Sequence, residues 1–148
     1  MGILNSGVKI RRARKSDVPR LAVLSGELGY PTTAKEMKER FAQIKPASQH
    51  AVFVAQVEKE VIGWIHVCVT PLLEVARRAE VNGLIVADGH RSSGAGAKLL
   101  DTAEEWACGK KCKSMSVRSN VIRERAHLFY ERQGYIHQKT QKAFRKPL

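Results

Sequence analysis

Residues 91–97 read Arg-Ser-Ser-Gly-Ala-Gly-Ala, a run of small side chains just ahead of an apolar helical pattern that begins at Leu99 and Leu100. Main chain so lightly covered lets a bulky anion come close, and the N–H groups at a helix start are donors without partners in the helix itself. A plain helix start capped by Ser92 or Ser93 explains the serines. It leaves Gly94 and Gly96, both helix-weakening, without a purpose. Two familiar phosphate loops fail on spacing. Gly89 and Gly94 stand as in a P-loop, but Ala95-Gly96 follows where Lys and Ser or Thr belong. Gly94-Ala95-Gly96 starts a dinucleotide fingerprint, yet Leu99 holds the place of the third glycine. What remains is an Arg-x-x-Gly-x-Gly anion site.

The elements around this loop follow from periodicity. Val8 to Arg14 alternates as a strand does, and Ser16-Asp17 before Pro19 opens a helix that runs to about Leu28 and closes at Gly29. Thr33 caps a second helix to about Ile44, stopped by Lys45-Pro46. Ala51 to Val57 and Val61 to Thr70, rich in β-branched and aromatic residues, flank a short Glu58-Lys59-Glu60 turn as a hairpin. Pro71 to Arg78 is a loop or a short helical excursion, and Ala79 to Ala87 is a further strand. The helix after the anion loop carries Leu99, Leu100, Ala103, Trp106 and Ala107 on one stripe and ends at Gly109. Lys113 to Ser119 is a short strand, Ile122 to Gln133 a last helix, and Tyr135 to Lys146 supplies one or two final strands. The order β-α-α-β-β-β-α-β-α-β is that of a mixed sheet with helices on both faces.

Composition bounds what such a fold can be. A chain of 148 residues with 43% hydrophobic content supports one core, so residues 1–148 are expected to form a single domain. No apolar stretch approaches the roughly 20 residues of a membrane span, and no signal peptide precedes the first strand, which implies a cytoplasmic protein without membrane partners. Met1 to Ser6 formally fits a myristoylation pattern, which is too short to carry weight. Cys68, Cys108 and Cys112 make no metal set and are expected to be reduced thiols. The net charge of +12 attracts phosphate in any form and disfavours a polycationic ligand. No run interleaves the cations with exposed aromatics, so a basic nucleic-acid-binding module is the alternative here and not the expectation.

The Arg91 to Gly96 motif, the strand "AEVNGLIV" before it and the segment "SNVIRERAHLFYERQGY" after it resemble the GNAT superfamily of N-acetyltransferases. The resemblance extends from the early "ELGYP" to the closing "TQKAFRKPL". It implies an α/β (α+β) domain with a mixed, mostly antiparallel sheet of six to seven strands and about four helices, splayed between the fourth and fifth strands. Acetyl-CoA is then the co-substrate, no metal is needed, and the acceptor is a small-molecule or peptide amine that attacks directly in a ternary complex. Small members of the family often pair as dimers.

The resemblance also assigns roles. Ser92, Ser93, Gly94, Ala95, Gly96 and Ala97 would cradle the pyrophosphate, and Arg91 would pair with a phosphate or hold the loop. Leu84, Ile85 and Val86 would offer backbone groups to the pantetheine and acetyl moieties. Asn120 would hydrogen-bond the same arm or merely cap the following helix, while His127 and Arg132 flank it within reach of the phosphates. Tyr130 would protonate the departing thiolate, unless it is only a packing residue. Glu80 would be the general base or else a strand-end ion pair with Arg77 or Arg78, and two-residue alternation puts Glu80, Asn82 and Leu84 on one face. His66 is the other candidate base, although a lone His in an apolar strand is more often a satisfied core residue. A fold kept for binding CoA without catalysis is the remaining alternative, which the presence of Tyr130 disfavours.

Overall fold

The apolar alternation of the first half of the chain builds a sheet of five strands in the order β1-β2-β3-β4-β5. The computed structural model describes residues 7–45 and 48–148, so the Met1 to Ser6 pattern and Pro46 lie outside the described residues. Strands β1 (Val8–Arg12), β2 (His50–Val57), β3 (Glu60–Val69) and β4 (Arg78–Val86) pair antiparallel with their neighbours, and β5 (Ser114–Val117) joins β4 in parallel. The helices are α1 (Val18–Leu28), α2 (Ala34–Ala42), α3 (Ala95–Gly109) and α4 (Glu124–Arg132). Among the described residues no helix is long and apolar enough to cross a membrane.

Local chemistry sets the helix bounds. Pro19 stands in the first turn of α1, and Gly29 ends it in the left-handed conformation at φ 102°. Thr33 and Glu36 close a reciprocal capping box on α2, with Thr33 Oγ1 accepting from the Glu36 N–H at 3.1 Å. Before α1, Asp17 accepts from both terminal nitrogens of Arg11 at 2.8 and 2.9 Å and from the Arg14 N–H at 2.7 Å, which ties β1 to the helix start.

The core is layered on both faces of the sheet. Leu21 and Leu24 of α1 bury against Val54, Val61, Ile85 and Ala87, with Leu28, Met37, Phe41 and Trp64 packed at the margin. Ile65 and Val67, which alternate with Trp64 and His66, turn to the face covered by α3, whose Leu99, Leu100 and Ala103 are fully buried. Strands β3 and β4 lie close at Gly63, where a Cβ would stand 2.6 Å from the Ile85 carbonyl oxygen.

Three expectations are corrected. The sheet has five strands, not six to seven, among the described residues. The expected strands in Tyr135 to Lys146 do not form: this segment is exposed and makes no ladder. Its residues Ile136 to Lys142 hold a single apolar side chain, so neither face of a strand would have a core to join. The third correction concerns β4, where Val81 lies opposite Val67 but Gly83 lies opposite His66, leaving Asn82 as an extra residue in a bulge. Leu84 therefore pairs with Ile65 on the α3 face, away from Glu80.

The chain divides into two compact units, Met1–Val117 and Arg118–Leu148. The second holds α4, a turn before it in which Asn120 accepts from the Ile122 N–H, and a largely exposed segment without helix or strand that ends the chain.

Candidate functional site

Strand β4 pairs with β5 only from Arg78 to Val81 and then runs on alone to Val86. Beyond the bulge the β5-side edge of Asn82, Gly83, Leu84, Ile85 and Val86 therefore has no strand beside it among the described residues. An unpaired backbone edge presents hydrogen-bonding groups to whatever enters the gap. The three residues that the sequence nominated for this purpose, Leu84, Ile85 and Val86, all lie on it.

The edge leads directly into the anion loop. A short turn at Asp88–His90 follows β4, and Gly94 then caps α3 in the left-handed conformation at φ 83°. That geometry explains the residue: any side chain there would strain the backbone, although no atom lies within 4 Å of the position its Cβ would take. The Ser93 hydroxyl donates to the His90 carbonyl at 2.6 Å and accepts from the Ala95 N–H at 3.3 Å. By contrast, the N–H groups of Ser92, Gly94, Gly96 and Ala97 have no hydrogen-bond partner among the described residues. Four such donors at the positive end of a 15-residue helix suit a pyrophosphate. Arg91 is turned the other way, its Nε donating to the Val86 carbonyl at 3.3 Å and its Nη1 lying 3.2 Å from Asp88 Oδ1. In this structure it holds the loop on the end of β4.

At the opposite end of the sheet the strand register assembles a polar row. Cys68 lies opposite His50 on β2 and opposite Glu80 on β4, and Glu80 lies opposite Ser116 on β5. Facing residues share a side of the sheet, as do residues two apart, so His66 and Arg78 belong to the same face. Asn82 joins it from the bulge, its Nδ2 donating to Cys68 Sγ at 3.0 Å. The face is the one that α1 covers farther along, since a Cβ on Gly83 would meet the Trp64 ring and Leu28.

Charge on this face is sparse. His66 is held neutral, its pKa lowered to about 4 by burial and by the neighbouring His50. The two rings stack at 5.1 Å, with His50 Nδ1 and His66 Nε2 sharing a proton across 2.9 Å. Arg77 is committed elsewhere, donating from Nε to the Lys110 carbonyl at 2.8 Å. Ser116 Oγ is buried without a hydrogen-bond partner among the described residues. The sequence singles out Glu80, His66 and Asn82, names Arg78 only as an ion-pair partner for Glu80 and Cys68 only as a reduced thiol, and passes over His50 and Ser116. The i, i+2 spacing of His66 and Cys68 was a signal; the cross-strand register that adds the others is not written in local sequence.

In the second unit, Tyr130 packs edge-on against Phe129 and Tyr135 at 5.2 and 5.7 Å between ring centroids. Burial pushes its phenol up to about 12, with Arg123 opposing the shift. The Asn120 carbonyl faces His127 Nε2 at 2.9 Å, and the Arg132 Nε donates to the Leu128 carbonyl at 3.3 Å, so both side chains help hold α4. Among the described residues no group of three or more His, Cys, Asp or Glu is arranged to hold a metal ion.

Comparison with known proteins gives this arrangement a context. Residues 19–135 match the Acetyltransferase (GNAT) family. An uncharacterised N-acetyltransferase of Archaeoglobus fulgidus is 30% identical over 135 residues, which span 85% of this chain and 91% of that protein. Among solved structures, the aminoglycoside N-acetyltransferase AAC(6')-Iy in complex with CoA superposes with a TM-score of 0.85 at 16% identity, covering 95% of each chain. The aminoglycoside 6'-N-acetyltransferase AAC(6')-Ih of Acinetobacter baumannii gives 0.84 at 16% identity, covering 96% of this chain and 99% of that one. At such identities these two establish the shared fold.

Proposed function

The chain belongs to the GNAT acetyltransferase family and is an acetyl-CoA-dependent N-acetyltransferase, and on that premise we propose that it transfers the acetyl group to a primary amine by direct attack in a ternary complex. The observation that carries the reading is the continuity of two donor surfaces. The N–H groups of Ser92, Gly94, Gly96 and Ala97, with no partner among the described residues, follow immediately on the unpaired edge of β4.

In this reading the loop of Ser92, Ser93, Gly94, Ala95, Gly96 and Ala97 holds the pyrophosphate of the co-substrate. Its dipole and N–H groups supply the charge complement, and Arg91 keeps the loop in place. The edge at Leu84, Ile85 and Val86 holds the pantetheine amides, and an N–H there supports the negative charge that develops on the thioester oxygen. Glu80, directly or through water, takes the proton that the attacking amine must lose. The new N–C bond forms as the C–S bond breaks, and the sulfur takes a proton from Tyr130. With its phenol pushed up to about 12, Tyr130 stays protonated throughout the neutral range and is a ready hydrogen-bond donor. The roles of Tyr130 and Asn120 rest on the family resemblance of the segment that contains them. Cys68, Cys108 and Cys112 are all free thiols, which supports the reading of a reducing, cytoplasmic setting.

Initial velocities measured against acetyl-CoA and a panel of primary amines, with release of the CoA thiol as the readout, test the proposal. Intersecting double-reciprocal lines support a ternary complex. Parallel lines would replace it with a covalent acetyl-enzyme, for which Cys68 would be the first residue to examine.

A further inference from the structure

The polar row beside Glu80 carries information about the acceptor. Glu80 and Arg78 stand two residues apart on β4, ahead of the bulge, so their side chains leave the same face about 7 Å apart at the backbone. The Arg78 side chain makes no hydrogen bond or ion pair among the described residues, whereas Arg77 beside it donates from Nε to the Lys110 carbonyl. Around Glu80, among the described residues, the facing strands bring no second carboxylate, only His50, His66, Cys68, Asn82, Ser114 and Ser116. A ligand with several ammonium groups would find one anionic partner and a guanidinium close by.

The loop from β3 to β4 borders the same end of the sheet, because it joins the end of β3 that bears Cys68 to the start of β4 that bears Arg78. Its apolar residues are turned outward, with Leu72 at 42%, Leu73 at 109% and Val75 at 38% of their full exposure. Three exposed aliphatic residues on one short loop, next to a polar face, form a surface that an apolar substituent would cover.

We propose that the acceptor is an amino-carboxylate of amino-acid or short-peptide chemistry, with one amine for Glu80, one carboxylate for Arg78 and an apolar side group for the Leu72–Val75 loop. This assignment rests on the reading that the acceptor amine reaches Glu80. It uses the sign and spacing of the charges on the face, and it distinguishes this chain from enzymes that take polyamines.

The test compares kcat/KM for leucine, leucyl-glycine, leucinamide, spermidine and neamine, using wild type, Arg78→Gln and Arg78→Glu, with acetyl-CoA binding measured separately on each. Wild type is expected to favour leucine or leucyl-glycine over leucinamide by at least about tenfold, the range that one charge-assisted hydrogen bond supplies. Which of the two is better separates amino acid from peptide. Both Arg78 variants are expected to lose that preference through KM while binding acetyl-CoA as wild type does. Equal or better turnover of spermidine, neamine or leucinamide would overturn the assignment, as would an unchanged preference in the variants. So would acetyl-CoA binding without turnover of either amino-carboxylate. Failure of wild type to bind acetyl-CoA would instead remove the acetyltransferase reading on which the assignment stands.

Discussion

His50 Nδ1 and His66 Nε2 face one another across 2.9 Å between adjacent strands, with the two rings stacked, so one proton serves both nitrogens. Protonating His66 would put a positive charge into a half-buried site beside a second imidazole. Burial is the main reason His66 resists protonation down to about pH 4, and a positive charge on His50 adds to it.

The pair makes stability depend on pH in a defined window. The unfolded chain binds a proton at His66 below about pH 6.5, whereas the folded chain binds it only near 4. The unfolded state thus holds more protons between those values, and stability rises with pH across them. The contribution is complete above about pH 6.5 and falls by about 3 kcal/mol on acidification to 4. Urea midpoints measured from pH 7.5 to 4.5 should drop steeply in wild type and less steeply in His66→Gln. Identical slopes in the two proteins would remove His66 as the cause.

Asp17 gives an acid limit of a different kind. The Arg11 guanidinium, hydrogen-bonded to both oxygens, and the Arg14 N–H hold its carboxyl below the usual range despite burial. A depressed carboxylate stabilises the fold above its unfolded pKa of about 3.9, and that contribution is lost as pH falls through the lower folded value. Asp17→Asn, which leaves Arg11 without its partner, should cost about 3 kcal/mol at pH 7 by chemical denaturation. A loss below about 0.5 kcal/mol would show that the pair is not holding β1 to α1.

Two glycines should tolerate substitution unequally. A Cβ on Gly63 would stand 2.6 Å from the backbone oxygen of Ile85, which cannot retreat without parting β3 from β4. On Gly83 it would stand 2.8 Å from Cη2 and Cζ3 of the Trp64 ring, a side chain that can tilt. Gly63→Ala should therefore destabilise by about 3 kcal/mol or more and Gly83→Ala by about 1–2 kcal/mol. Thermal unfolding of the two variants checks the order, and a reversal would contradict the packing described.

Tyr130→Phe separates proton donation from packing, because it keeps the ring that sits against Phe129 and Tyr135. Loss of the hydroxyl is expected to lower kcat by about 100-fold with little change in acetyl-CoA binding or melting temperature. With the phenol pushed up to about 12, no fall in wild-type rate below about pH 10 should trace to this residue. Unaltered kcat in the variant would leave Tyr130 a structural aromatic.

Local signals made most of this legible in the sequence. Strand alternation, the Thr33 cap, the Gly29 stop and the small-residue loop at Arg91 to Ala97 all fall where the structure has them. The bulge at Asn82 does not announce itself, because an extra residue in a ladder is defined by its partner strand. Simple alternation therefore put Leu84 on the wrong face relative to Glu80. The same dependence on register hid the row of His50, Cys68, Glu80 and Ser116, which comes from four separated strands. The final segment misled for the opposite reason. Its stretch from Ile136 to Lys142 holds a single apolar side chain, too few to build a strand face.

The most direct test of the central claim is calorimetric titration of acetyl-CoA into wild type, Gly94→Ala and Gly94→Trp. Both substitutions impose the same left-handed strain, and neither meets a neighbouring atom at Cβ, so they differ in what stands over the loop. Wild type is expected to bind with a Kd between roughly 1 μM and 1 mM. Gly94→Ala should retain most of that affinity, and Gly94→Trp should lose it while its circular dichroism spectrum stays that of wild type. Undiminished binding by a folded Gly94→Trp variant would contradict the placement of the co-substrate on this loop.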